Sequence, residues 1–193
     1  MKLVQGFGIN DSERPVYSVI DGKRVVCPAC RAWTSMLQRA FSEKAIARRP
    51  TYDCVLVCDD WKFFSSFRRW WSENYVYGWE LDKVILSDEK LYSPSSCIYI
   101  PGWLNKFTTN SGRRRGKYQI GVFYQRSDGV FKAKCSNPIT GENEHLGRFK
   151  TQNEAHKAWL KRKIELANEL KPSMDAIDYR IYPRVIEIVQ GMK

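Results

Sequence analysis

Two histidines, His145 and His156, are the entire imidazole supply of this 193-residue chain, and residues 1–105 hold none. Acid–base or metal chemistry that leans on imidazole is therefore confined to residues beyond 105. Cysteine is the other metal-seeking type. The spacing Cys27-Pro-Ala-Cys30 is half of a structural zinc site, with Cys54, Cys58 or Cys97 able to complete a tetrahedral set. The same thiols also read as buried free cysteines, since Cys54 and Cys58 flank an apolar stretch. Six cysteines in a chain of this length make no disulfide scaffold and are expected to stay reduced. A third chemistry is charge: Arg113, Arg114, Arg115 and Lys117 form a cationic run that suits phosphate.

The distribution of charge sharpens that point. Lys and Arg number 32 against 21 Asp and Glu, a formal net charge of +11. Residues 1–105 hold 14 of the cations and 12 of the acids, residues 106–171 hold 15 and 6, and residues 172–193 hold 3 of each. Nearly all the excess lies in the middle segment, which reads as a phosphate-binding module or, more plainly, as a solvated basic face. At 43% hydrophobic and 13% aromatic residues the chain is too apolar for a disordered polycation. No apolar run approaches the roughly 20 residues that span a bilayer. Gly, Asn and acids stand in MKLVQGFGINDSERP where a signal peptide would have its apolar core.

The elements that must position these groups follow from periodicity and punctuation. Residues 1–26 read as loop and short strands, with a turn at Asp21-Gly22. Trp33, Met36, Leu37, Ala40 and Phe41 recur at helical spacing from Cys30 to Arg48, before Pro50. CVLVC reads as a short buried strand, and Asp59 or Asp60 as the cap of a second helix carrying Trp61, Phe64, Phe67 and Trp71. LDKVIL and CIYI read as strands, with a short helix after Pro101. Residues 117–125 and 130–136 read as two strands around a Ser127-Asp128-Gly129 turn, and HLGRF as a third. Thr151 with Glu154 three residues on predicts a capping box and a helix up to Pro172. RVIEIV predicts a short helix packing back on the body.

GVFYQRSDGVFKAKC followed by HLGRFKTQNEAHKAW resembles the APETALA/ethylene-response-factor type DNA-binding domain over about 117–165. The resemblance implies a three-stranded sheet laid in the DNA major groove, with a helix on its back. Strand alternation is an independent argument. Phe131, Ala133 and Cys135 should face the helix, with Val122 and Tyr124, while Lys132, Lys134, Ser136, Phe123 and Gln125 should face out. Arg126 falls at the turn, and His145 and Arg148 on the third strand. The family's base-reading arginines are largely replaced by Phe123, Gln125 and Lys134, so its target sequence does not carry over. The expected DNA-binding set is Arg113, Arg114, Arg115, Lys117, Gln119, Phe123, Gln125, Arg126, Lys132, Lys134, Ser136, His145 and Arg148.

GFGINDSERPVY, RPTYDCVLVCDDWKFFSSF, GWELDKVIL and YSPSSCIYIP, in this order over about 6–107, resemble bacteriophage proteins described as HNH endonuclease-like, often with the same C-terminal domain. The resemblance implies a phage or phage-satellite origin, a homing-endonuclease ancestry and residence in the bacterial host cytoplasm. An HNH nuclease needs an imidazole base and a divalent cation. Here Lys83 stands where that family has the histidine, and Asp82 and Asn105 are remnant candidates for the metal site. Glu80 lies three before Lys83, so the Glu-x-Lys spacing of another nuclease class fails as well.

The expectation is an α+β chain: a helical, degenerate ββα domain over 1–107, a basic linker over 108–116, a three-stranded antiparallel sheet packed on one helix over 117–171, and a tail over 172–193. Its expected function is sequence-specific binding of double-stranded DNA as a catalytically inactive transcriptional repressor, with no cofactor and with a homodimer as one arrangement. Two alternatives stand beside it. One is an active nuclease using Mg²⁺ or Mn²⁺ and an unrecognised base; the other is a protein-interaction inhibitor built on the aromatic first domain. Zinc, if bound, falls to Cys27, Cys30, Cys54 and Cys58.

Overall fold

Asp21 and Gly22 both take positive φ, 50° and 71°, the backbone of a two-residue turn whose twist matches the strands it joins. It connects Tyr17–Ile20 (β1) to Lys23–Val26 (β2) as an antiparallel hairpin, with Tyr17 opposite Val26 and Ile20 opposite Lys23. The computed structural model describes residues 3–48, 54–110 and 117–193. Internal contacts divide the chain into two units, Met1–Tyr99 and Ile100–Lys193.

In the first unit, Pro28–Phe41 (α1) starts with a proline at a position where its missing N–H costs nothing. Ala29, Cys30, Trp33, Met36, Leu37 and Ala40 form its buried stripe. The helical pattern read through to Arg48 is broken at Ser42, whose extended backbone closes α1 through an N–H bond to Gln38. Its carbonyl accepts from Ala45 and Ile46, so the same residue opens Glu43–Arg48 (α2), which buries nothing. Leu56–Val57 (β3) runs parallel to Leu91–Tyr92 (β5).

The acids Asp59 and Asp60 open a 3₁₀ turn over Asp59–Lys62, and the helix proper, Phe64–Asn74 (α3), begins after it. Trp61, Phe64 and Phe67 are buried as read, whereas Trp71 is half-buried and stacks on Tyr75. Trp33 Nε1 donates to the Trp61 carbonyl at 2.8 Å, tying α1 to that turn. Glu80–Asp82 (β4) is shorter than the strand read over LDKVIL. Asp82 Oδ1 accepts from the Val84 and Ile85 N–H groups, at 2.8 Å each, and bends the chain away. Ile98–Ile100 (β6) follows.

The second unit gathers Gly102–Thr108 (α4), Val122–Gln125 (β7), Val130–Ser136 (β8), Asn143–Phe149 (β9), Gln152–Glu169 (α5), Lys171–Asp175 (α6) and Ile181–Gln190 (α7). Helix α4, read as the end of the first domain, therefore groups with the second. The order β7-β8-β9 is an antiparallel meander, and α5 lies against it. Thr151 and Glu154 form the capping box at the start of α5, at 3.2 and 3.1 Å. Gly121, at φ +79°, approaches the Trp159 ring so closely that a Cβ there would lie 2.1 Å from it. The tail forms two helices rather than one, and α7 packs on α5 through Ile181, Val185 and Val189. Among the described residues, no helix is long and apolar enough to cross a membrane.

Candidate nucleic-acid interface

Strand register sorts the side chains of the β7-β8-β9 sheet by face. Val122 pairs with Ala133, Tyr124 with Phe131, and Cys135 with Glu144, on the face that meets α5. Ala133 and Cys135 are fully buried there, and Tyr118, Phe131, Leu146 and Phe149 pack around Val122, Ala133 and Ala155. Phe123 pairs with Lys132, Lys132 with Arg148, Lys134 with His145, and Ser136 with Asn143, on the opposite face. Phe123, Gln125, Lys132, Lys134 and Ser136 come together as the alternation predicts, and His145 and Arg148 join them on the same face.

These groups touch one another without neutralising the face. Lys132 Nζ donates to Gln125 Oε1 at 3.3 Å, and Lys134 Nζ lies 5.2 Å from the Phe123 ring centre. Ser136 Oγ donates to Asn143 Oδ1 at 2.6 Å. Arg148, 56% exposed, pairs with Asp128 in the β7–β8 turn; an ion pair that open to water is readily exchanged for a phosphate. Chemically the face offers ammonium and guanidinium donors, an amide, a hydroxyl, an imidazole and an aromatic edge. That is the repertoire of groove and backbone recognition.

The face depends on a β-bulge. Register shifts between Ala133 and Lys134: Ala133 pairs with Gly147 and Lys134 with His145, which leaves Leu146 as the surplus residue. Leu146 joins the core, and Arg148 is delivered outward.

Behind the sheet, Glu144 and His156 are each paired. Arg162 holds Glu144 through Nε at 2.6 Å and Nη2 at 3.0 Å, and Asn137 Nδ2 donates to the same carboxylate at 2.7 Å. The Arg162 and Asn137 hydrogen bonds hold the Glu144 carboxyl down at about 2. His156 is buried, bonds the Ile120 carbonyl through Nδ1 at 3.0 Å and stacks on Trp159. It is a structural residue.

The remaining expected DNA contacts are scattered. Arg126 is exposed at the turn and Lys117 is exposed with its Nζ 5.4 Å from the Tyr118 ring centre. Gln119 is half-buried, and its Oε1 is enclosed without a hydrogen-bond partner. Arg113, Arg114 and Arg115 lie outside the described residues.

In the first unit, Lys83 is only 7% exposed. Burial lowers its pKa, opposed by the Asp82 carboxylate beside it. Its Nζ lies 5.7 Å from the Tyr92 ring centre, and Arg39 Nε donates to the Tyr92 hydroxyl at 3.0 Å. A lysine with a lowered pKa, for which no sequence feature argues, is therefore present. Asp82 has one carboxylate oxygen committed to the turn, and Asn105 lies on α4 in the second unit. Cys30 and Cys58 have thiols pushed up by burial, Cys54 is exposed at φ 61°, and Cys27 precedes α1. Among the described residues, no group of three His, Cys, Asp or Glu side chains could hold a metal ion.

No protein-family model, curated protein or solved structure matches the chain.

Two features escaped the sequence reading. Asn143 joins the outward face because β9 begins two residues earlier than read. Lys163 is buried on α5 at 7% exposure; its place four after Trp159 and three before Leu166 was a signal that it sits on the apolar stripe.

Proposed function

We propose that this protein binds double-stranded DNA sequence-specifically through the outward face of β7, β8 and β9, without cleaving it, and represses transcription by occupying its site. The observation that carries the reading is the face itself: Lys132, Lys134 and Arg148 stand beside Gln125, Ser136 and His145, while the opposite face is packed on α5. Lys132 and Lys134 stand on one short strand beside an Arg148 whose exposed pair with Asp128 is readily exchanged, and a polyanion suits that cluster. The amide, hydroxyl and imidazole add hydrogen bonds that can read base edges. Descent from a phage homing endonuclease supplies a history for such a two-part chain, with Lys83 in place of the base histidine and dimers extending the footprint.

Burial of Lys83 favours a second reading, metal-assisted cleavage with a lysine base, because a lowered pKa is what that role requires. Selection from random duplex DNA, followed by gel shift of the selected fragment with and without Mg²⁺ or Mn²⁺, separates the two. The repressor reading expects a shifted, intact fragment; a discrete nick beside the bound site overturns it. Failure to select any sequence, with binding indifferent to Lys132→Ala and Lys134→Ala, overturns both and leaves a protein partner to be sought.

A further inference from the structure

A cavity of about 380 Å³ opens in the second unit between Trp103, Lys106 and Phe107 of α4 and the turn that follows β8, with Lys163 of α5 on its wall. That volume lies within the range of small-molecule sites. Lys163 is its unusual member. The side chain is 93% buried (7% exposed), and Nζ lies 3.4 Å from the centre of the Phe107 ring and 6.0 Å from that of Trp159.

Among the described residues, no carboxylate pairs with this ammonium. The nearby acid, Glu144, is already held by Arg162 and Asn137. A buried cation with only aromatic faces for company is costly to hold, and the cation–π contact offsets part of that cost. Uncompensated groups of this kind persist where a ligand completes them.

The wall opposite is prebuilt. Asn137 Oδ1 accepts from the Ile139 and Thr140 N–H groups at 2.8 and 3.3 Å, and its backbone bonds Glu142 and Gly141 at 2.8 and 2.9 Å. Ser136 Oγ is committed to Asn143. With those polar groups engaged, an incoming anion meets Lys163 inside and Lys106 at the rim.

We infer that this cavity binds a small organic carboxylate, with its headgroup on Lys163 Nζ and its apolar body against Trp103 and Phe107. One interior ammonium suits a monoanion; phosphate dianions call for several N–H donors or an arginine fork. The inference stands whether or not the sheet binds DNA.

The test uses the full chain labelled with ¹³C at lysine Cε, titrated with benzoate, indole-3-carboxylate and hexanoate, each beside its uncharged amide. The expected result is that at least one carboxylate moves a single lysine resonance, identified as Lys163 by its absence from Lys163→Met. That carboxylate also raises the melting temperature, and its amide binds more weakly by on the order of tenfold. Lys163→Met loses a similar factor with its fold intact by circular dichroism. Should that variant not fold, Trp103→Ala serves in its place, weakening the carboxylate while leaving the Lys163 resonance visible. No carboxylate moving that resonance, amides binding as tightly as acids, or affinity unchanged in both variants would each overturn the inference.

Discussion

Lys132 and Arg148 face each other across β8 and β9 on the side of the sheet turned away from α5. Like charges placed directly opposite in a sheet weaken it, a cost that the Arg148–Asp128 ion pair offsets in part in the free protein. Changing Lys132 and Arg148 to Ala should leave stability level or slightly raised while weakening DNA binding. The slope of log affinity against log salt should become shallower by about 0.9 for each phosphate that is no longer neutralised. Gel shifts across a salt series, paired with urea unfolding, measure both; unchanged affinity would remove the face from the interface.

Arg113, Arg114 and Arg115 carry a separate expectation. Their replacement by Ala should weaken cognate and random duplexes by the same factor, because phosphate contacts carry no sequence. A loss confined to the cognate fragment would instead make them base readers.

Glu144 supplies a pH signature. Its carboxyl ionises at about 2, down from an ordinary 4.5, because Arg162 and Asn137 bond the charged form. A depressed acid stabilises the fold above its unfolded value and loses that contribution as pH falls toward the folded one. Glu144→Gln should therefore melt below the parent at neutral pH, and the gap should close between pH 4.5 and 2. A gap constant through that window would mean the ion pair contributes nothing.

Lys163 has the opposite signature. Burial brings its pKa down to about 8 from 10.5, so the unfolded chain holds the proton more tightly between those values. Protonation opposes folding below that window, and the opposition fades as pH rises through it. Lys163→Met should be more stable than the parent at pH 7, with the advantage shrinking from pH 8 to 10.5. Thermal melts at four or five pH values decide the point.

Gly121→Ala tests the packing under the sheet. The new methyl would meet the Trp159 ring at 2.1 Å on a backbone with positive φ. A loss of about 2–4 kcal/mol in urea unfolding is expected, whereas Thr151→Ala, which breaks only the capping box, should cost about 1 kcal/mol.

What could be read from the chain was local. Strand β8 was legible to the residue because Phe131, Ala133 and Cys135 alternate with Lys132, Lys134 and Ser136 between a turn and an asparagine. The start of α5 was legible because Thr151 and Glu154 carry their own geometry. Strand β3 falls inside the stretch CVLVC read as a buried strand but is only two residues long with Leu56 exposed, and its pairing to β5 joins Leu56 to Leu91 across the sequence, where no local period shows. Asp82 reads as one more strand residue until its carboxylate is seen to cap the turn after it. The burial of Lys83 and Lys163 was missed because lysine is rarely enclosed and its type alone predicts exposure. At the interface, Lys132 and Lys134 could be anticipated from strand parity, whereas the shared face of His145 and Arg148 could not, since a bulge lies between them.

The irregularity in β9 also bears on how such a sheet could change over generations. Asn143 and His145 are odd-numbered and Arg148 even, yet all three look outward, because one surplus residue resets the count between them. Deleting Gly147 would take one residue out of the bulge and leave Leu146 inward, Arg148 outward and Phe149 inward in plain alternation, whereas a deletion in the regular part of the strand would turn over everything beyond it. The bulge therefore behaves as punctuation: it can absorb the loss of one residue, a loss that elsewhere in the strand would rewrite which half of the alphabet faces out.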